Sequence, residues 1–82
     1  MSESFVFMAY EKDRDQYSCW VRDSYESYLE DKRLIAELGY TQIRLFRVPK
    51  EVGMDAFSLC TEFMEDNISL EDLEAKVDLL KE

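Results

Sequence analysis

The chain has 82 residues, a formal net charge of −9 and no histidine. Hydrophobic residues make up 46% of it and charged residues 35%, so it is too apolar for the disordered class, whose members cannot bury a core. A chain of this length buries roughly 60–65% of its unfolded surface on folding, which is enough for one modest core. We therefore expect a single domain spanning residues 1–82.

Several function classes are excluded by what the sequence lacks. Histidine is the side chain that most often acts as a general base near neutral pH and binds zinc, and it is absent. Both glycines are isolated, so no glycine-rich phosphate loop is present. The acidic fragments 13–15 and 65–67 lack the glycine and the closing glutamate of a calcium loop. The sequence predicts a protein that is not an enzyme and uses no metal or cofactor.

The two cysteines and the apolar segments indicate the cellular compartment in which the protein is expected. Cys19 and Cys60 are far apart in the sequence and have no C-x-x-C spacing, so we interpret them as two buried reduced thiols, with a disulfide or redox pair as the alternative. The apolar run 5–10 is too short for a signal-peptide core, and no segment approaches the roughly 20 apolar residues of a membrane span. We expect a cytoplasmic protein that does not contact a membrane.

The first half of the chain predicts a hairpin followed by a helix. Residues 4–10 are apolar on both alternating faces, which is typical of a central strand covered on both sides. The aromatic and β-branched residues of 17–21 predict a second strand that closes the hairpin. Ser24 is a candidate N-cap for a helix over 25–38, with Gly39 at its C′ position.

The predicted first helix is amphipathic. At about 100° per residue its apolar side chains gather on one face and an acidic stripe that includes Glu26 and Glu30 lies opposite. Leu34 falls inside that stripe. It is interpreted as an isolated exposed leucine, with a hydrophobic anchor ringed by charge as the alternative.

The next segment predicts a third strand over residues 40–48. Ile43 and Leu45 alternate with Gln42 and Arg44, and Pro49 ends the pattern. A right-handed strand–helix–strand crossover makes this strand parallel to the second and antiparallel to the first, which gives the sheet order 2-1-3.

Two helices follow the third strand. Residues 54–66 place apolar and acidic side chains on opposite arcs, and Ser69 and Asp72 stand at capping-box spacing before a third amphipathic helix. The predicted fold is α+β, with a three-stranded antiparallel sheet in the order 2-1-3, helices packed on it, and the element order ββαβαα.

Charge is distributed very unevenly along the chain. Residues 51–82 contain ten carboxylates against two lysines, a net of −8, whereas residues 1–50 contain nine carboxylates against eight cations, a net of −1. A solvated surface selected for solubility is one interpretation. The scarcity of lysine and arginine after position 50 favours a second one, a surface that attracts a basic partner through long-range electrostatics.

We therefore predict partner binding through acidic helix faces and exposed leucines. The acidic candidates are Glu26, Glu30, Glu62, Glu65, Asp66, Glu71, Glu74 and Asp78, and the apolar candidates are Leu34 and Leu79. The basic cluster formed by Arg44, Arg47 and Lys50 is interpreted as edge-strand protection or as an ion-pair partner of the acidic helices. The negative charge argues against direct contact with DNA or RNA.

In size, acidity and lack of catalytic residues the chain resembles the small inhibitors made by bacteriophages and other mobile elements, some of which mimic DNA. The likeness covers composition and the strand–helix–strand layout of about residues 17–48. It implies a protein that inhibits a larger basic, nucleic-acid-handling protein. The alternative is a structural or regulatory subunit that homodimerises or completes an assembly through its sheet face and its tyrosines.

Overall fold

A central sheet with helices on both sides organises the molecule. The computed structural model describes residues 2–82. Its elements are β1 (Glu3–Glu11), β2 (Gln16–Arg22), α1 (Tyr25–Glu37), β3 (Tyr40–Pro49), a 3-10 turn (Lys50–Val52), α2 (Gly53–Met64) and α3 (Leu70–Leu80). The strands are antiparallel in the order β2-β1-β3. The predicted α+β fold, element order and strand order are confirmed.

The two faces of β1 enter two separate cores. Val6 and Met8 pack with Phe46 and Val48 of β3 and with buried residues of α2 and α3. On the other face, Phe5, Phe7 and Ala9 pack with Tyr28 and Ile35 of α1. Because β1 is buried on both sides, its sequence is apolar at successive positions. The hairpin of α2 and α3 covers one face of the sheet, and α1 covers the other.

Side-chain caps fix where the helices begin. The Ser24 hydroxyl oxygen accepts a hydrogen bond from the Ser27 N–H at 3.2 Å, and the Ser69 hydroxyl oxygen accepts one from the Asp72 N–H at 3.1 Å. Each cap satisfies one of the four N–H groups that have no partner in the first turn of a helix. Gly39 has φ +96° directly after α1, as the C′ position favours. The predicted N-cap Ser24 and C′ residue Gly39 are confirmed, and of the predicted capping box the hydrogen bond from the Asp72 N–H to Ser69 is present.

The alternation of β3 is interrupted by a bulge. Met8 pairs with Arg44 and Tyr10 pairs with Thr41, so two residues of β3 oppose one residue of β1. Gln42 lies in this bulge with φ 54°. After the bulge, Phe46 and Val48 are the buried side chains of β3. They lie on the same face of the sheet as Arg44, whereas Ile43 and Leu45 lie on the opposite face.

Gly53 lets α2 begin in close contact with the sheet. A Cβ atom at this position would lie 2.5 Å from the Ser4 Oγ atom and 2.7 Å from its Cβ. Ser4 is buried on β1, so a larger residue at position 53 would displace the first turn of α2 from the strand.

Among residues 2–82, no helix combines the length and apolarity needed to cross a membrane.

Candidate functional site

The carboxylates of α2 lie on the side of the helix that faces away from the sheet. Ala56 and Cys60 are fully buried in the core beneath α2. At about 100° per residue, Glu62 and Glu65 project from the opposite side, and both are exposed. Asp55 lies on the same outward side and is also exposed. It was not among the candidate residues predicted from the sequence.

The same arrangement holds for α3. Leu73 and Val77 are fully buried, which turns Glu71 and Asp78 toward solvent. Leu79 projects from this outward side and is 67% exposed. Because α2 and α3 pack on one another over a shared core, their outward sides form one continuous surface.

We call this surface the acidic hairpin face and define it by the exposed carboxylates of both helices and the turn between them. Its members are Asp55, Glu62, Glu65, Asp66, Glu71, Asp72 and Asp78. Five of them, Glu62, Glu65, Asp66, Glu71 and Asp78, were predicted from the sequence. Asp55 and Asp72 are added because they lie on the side of their helix opposite the buried residues.

The face has little internal charge compensation. Within residues 2–82 one of its members is ion-paired, since the Asp78 carboxylate lies 3.6 Å from the Lys81 ammonium nitrogen. Glu74, also predicted as a partner residue, is turned toward the sheet and lies 3.4 Å from the Arg44 guanidinium. Both pairs are solvent-exposed, where an ion pair contributes about 0–1 kcal/mol.

Carboxylates crowd the C-terminal end of α2, where the helix dipole disfavours them. Glu62 and Glu65 lie in its last turn or at its C-cap, and no basic residue occupies that turn. The Asn67 side-chain amide donates a hydrogen bond to the Glu62 Oε2 atom at 2.7 Å. Asp66 adjoins them with φ 63°, a conformation that favours glycine. The positions of Glu62, Glu65 and Asp66 are therefore not explained by a contribution to the stability of α2.

The remaining predicted residues lie elsewhere. Glu26, Glu30 and Leu34 belong to α1, which covers the opposite face of the sheet, and all three are exposed. The structure therefore divides the predicted set between opposite sides of the molecule. Hydrophobic periodicity locates the outward side of each helix, but it does not specify which sheet face the helix covers.

The sheet also divides the predicted basic cluster. Arg44 points toward α3, where it meets Glu74. Arg47 projects on the α1 side, where its guanidinium lies 3.0 Å from a Glu3 carboxylate oxygen and stacks over the rings of Phe5 and Tyr25. One of the two arginines is thus an ion-pair partner of an acidic helix, as expected.

The two cysteines meet across the interface of β2 and α2. Both are free thiols, and Cys60 is fully buried whereas Cys19 is half-buried. A hydrogen bond to Cys60, together with burial, raises the pKa of the Cys19 thiol. A thiol whose pKa is raised is a poor nucleophile near neutral pH.

One concavity, of about 480 Å³, lies beside the N-terminal end of β1 and is lined by Ser2, Glu3, Pro49, Lys50 and Glu51. Another, of about 370 Å³, lies between β3 and α3 and is lined by Ile43, Arg44, Leu45, Phe46, Glu74, Asp78 and Lys81. Within residues 2–82, no group of three or more cysteine, aspartate or glutamate side chains is arranged to hold a metal ion.

Comparison of the chain with protein-family models, with curated proteins and with solved structures gives no match.

Proposed function

We propose that this protein is a non-enzymatic binding protein whose acidic hairpin face occupies a basic surface of a larger, nucleic-acid-handling protein and thereby inhibits it. One observation carries the proposal: two adjacent helices turn most of their carboxylates to the same side, and within residues 2–82 Asp78 alone among the members of the acidic hairpin face has a cation within ion-pair distance. Uncompensated charge of one sign attracts a partner of the opposite sign and accelerates association.

The spacing of the carboxylates suits a surface that normally binds a phosphate backbone. Glu62 and Glu65 are three residues apart on α2, so they lie about 5–6 Å from one another. Asp55 and Glu62, and likewise Glu71 and Asp78, are seven residues apart, which is about 10 Å along a helix. A basic groove that accepts nucleic acid would meet a series of uncompensated negative charges on this protein, which supports a DNA-mimic mode of inhibition.

An apolar side chain lies within the charged surface. Leu79 is 67% exposed and projects from the same side of α3 as Glu71 and Asp78. Interface energy is concentrated in a few desolvated anchors, while surrounding charges orient the partner and set the salt dependence. We assign Leu79 the anchoring role and the carboxylates the steering role.

The unfavourable placement of the charges also supports a binding role. Like charges on neighbouring turns and carboxylates at a helix C-terminus each destabilise a helix by a few tenths of a kcal/mol. Proteins retain destabilising surface features where activity requires them. The cluster of Glu62, Glu65 and Asp66 has this character, because its members repel one another and the end of the α2 dipole.

The test is affinity capture from a bacterial lysate at low salt with three immobilised proteins. They are the wild type, a hairpin variant (Glu62→Gln, Glu65→Gln, Glu71→Gln) and an α1 variant (Glu26→Gln, Glu30→Gln, Glu37→Gln). Both variants change the net charge by the same amount. We expect the wild type and the α1 variant to retain one basic nucleic-acid-handling protein that salt elutes, and the hairpin variant to lose it.

Inhibition is tested by adding nucleic acid to the captured complex. Displacement of the partner by DNA or RNA is expected if the acidic hairpin face occupies the nucleic-acid site. Equal loss of capture by both variants would show that only the total charge matters. Retention of the partner by the hairpin variant would exclude the acidic hairpin face as the binding site. A thermal unfolding curve for each variant shows that a loss of capture is not a loss of folding.

A further inference from the structure

The fold brings together the two thiols that the sequence keeps apart. Cys19 lies on β2, an outer strand of the sheet, and Cys60 lies on α2. Cys19 pairs with Met8 of β1, so it shares the face of the sheet on which Met8 and Cys60 are both fully buried. The two cysteines therefore belong to one core, and they join the first half of the chain to the second.

A ring contact beside the cysteines shows how α2 lies on β2. Tyr17, two residues before Cys19, points to the same side of the strand and packs against the same core. Its ring centroid lies 5.0 Å from that of Phe63, which follows Cys60 by about one helical turn. Two residues of strand and one turn of helix each span about 5–7 Å, so this contact places Cys60 next to Cys19. A hydrogen bond joins the two thiols.

The two sulfur atoms differ in their access to solvent. Cys60 is fully buried, whereas Cys19 is half-buried on its outer strand. A small oxidant can therefore reach Cys19 but not Cys60 while the protein is folded. Transfer of a proton along the hydrogen bond decides which sulfur is the thiolate, and the thiolate is the nucleophile. The exposed Cys19 can thus react first, and the buried Cys60 is positioned to attack it afterwards.

We propose that Cys19 and Cys60 form an oxidation site that closes to a reversible disulfide when a peroxide reaches Cys19, and that this bond fastens α2 to β2. The Cys19 thiolate attacks a peroxide oxygen, the O–O bond breaks, and a sulfenic acid and hydroxide form. The Cys60 thiol then attacks the Cys19 sulfur, the S–O bond breaks, and water leaves. The two sulfurs together lose two electrons, which reduce hydrogen peroxide to water.

The disulfide would tie together elements that are distant in the sequence. It closes a loop of about 40 residues that contains α1 and β3, and closing a long loop restricts the unfolded chain. Disulfides in a reducing compartment are usually transient and redox-sensing, and a dithiol restores both thiols. The bond would hold α2 on the sheet in an oxidising environment. This inference does not depend on the function proposed for the acidic hairpin face.

The test exposes the folded full chain to hydrogen peroxide and follows its mass without reductant. We expect the chain to lose two hydrogens, proteolytic peptides containing Cys19 and Cys60 to be linked, and dithiothreitol to reverse both changes. Since the pKa of the Cys19 thiol is raised, the reaction should be faster at about pH 8.5 than at about pH 7. The oxidised chain should have a urea midpoint about 1 M or more above that of the reduced chain.

Two single variants identify the sulfur that reacts first. In Cys60→Ala the sulfenic acid on Cys19 has no partner, so we expect it to accumulate and to form an adduct with dimedone. In Cys19→Ala the remaining thiol is buried, so an adduct is expected only after urea unfolds the chain. A thermal unfolding curve shows whether each variant is folded. The mass measurement on the wild type tests the disulfide without either variant.

Four results would overturn the proposal. They are two unreacted thiols in the folded chain at a peroxide concentration that oxidises the unfolded chain, a sulfinic acid on Cys19 beside a free Cys60, a disulfide between two chains, and equal urea midpoints for the oxidised and reduced proteins. None of these results bears on capture by the acidic hairpin face, which is measured with both thiols kept reduced.

Discussion

Asp66 shows at the level of one residue how conformation and charge oppose stability in this protein. It has φ 63°, and its N–H donates to the Phe63 carbonyl at 3.0 Å while the Asn67 N–H donates to the Glu62 carbonyl at 2.9 Å. This is the hydrogen-bond pattern of a Schellman C-cap, whose C′ position favours glycine. We expect Asp66→Gly to raise the free energy of unfolding by about 0.5–1 kcal/mol, measured by urea denaturation.

Asp66→Ala separates the two contributions. Alanine removes the negative charge but retains a Cβ atom in the left-handed region, so it should stabilise less than glycine does. Equal stabilisation by both substitutions would show that charge, and not backbone conformation, governs this position.

The cysteine pair predicts how stability depends on pH. A hydrogen bond to Cys60, together with burial, raises the pKa of Cys19 above its ordinary value of 9.0. The folded protein therefore keeps a proton that the unfolded chain loses, so the stabilisation is complete below pH 9 and declines as the pH rises above it. We expect the urea midpoint to fall between about pH 9 and pH 10.

Cys19→Ala/Cys60→Ala provides the control for this pH dependence, because the hydrogen bond that raises the pKa of Cys19 lowers the pKa of Cys60 and the two thiols titrate together. The variant lacks both thiols, so its urea midpoint should vary less over the same range. Burial also raises the pKa of Tyr28, whose effect begins above its ordinary value of 10.0 and remains in the variant. An alkaline decline of equal steepness in both proteins would contradict the assignment to the thiol pair.

At the scale of elements, the contact between α2 and β1 depends on Gly53. A methyl group at this position would overlap buried Ser4, and we expect Gly53→Ala to destabilise the protein by about 1–3 kcal/mol. Removing the Ser4 side chain should relieve part of this effect. In a double-mutant cycle, Ser4→Gly/Gly53→Ala is expected to be less destabilised than the sum of the single variants. Simple additivity would contradict the close approach.

The carboxylates of α2 should weaken the helix that contains them. Glu62→Gln/Glu65→Gln removes two negative charges from the C-terminal end of α2, so we expect it to raise the free energy of unfolding by about 0.5–1 kcal/mol. The melting temperature of the wild type should rise with added salt more than that of the variant, because screening relieves the same repulsion. Destabilisation by the substitutions would contradict this account.

The elements of the fold were largely predictable from local signals. Two-sided apolarity marked β1 as the central strand, and Ser24, Gly39 and Ser69 marked helix ends, because caps and periodicity act within a few residues. Boundaries were less accurate, since α2 ends at Met64, two residues before the predicted end. A bulge was not predictable, because Gln42 adopts a positive φ that its side chain does not favour.

The candidate site was predictable only in part. Periodicity located the outward carboxylates of α2 and α3, but the side of the sheet that α1 covers depends on long-range packing. Glu26 and Glu30 were therefore grouped with residues that lie across the sheet. The contact of the Arg47 guanidinium with the Tyr25 ring likewise arises from the packing of α1 on β3, and no short sequence pattern encodes it.

For the whole molecule, the main feature is separation of charge. The last 32 residues have a net charge of −8, and residues 32–50 have a net charge of +4. The fold places the first set on the hairpin of α2 and α3 and the second along α1 and β3. In the second set, Arg44 and Arg47 are paired with Glu74 and Glu3. The uncompensated charge therefore lies on the hairpin, and the association proposed there should weaken as salt increases.

The most direct test of the proposed function is the dissociation constant of the captured basic partner, measured from about 50 to about 300 mM salt. We predict that affinity for the wild type and the α1 variant falls steeply with salt, and that the hairpin variant binds more weakly with a shallower slope. An affinity that does not change with salt, or an equal slope for all three proteins, would contradict recognition through the acidic hairpin face.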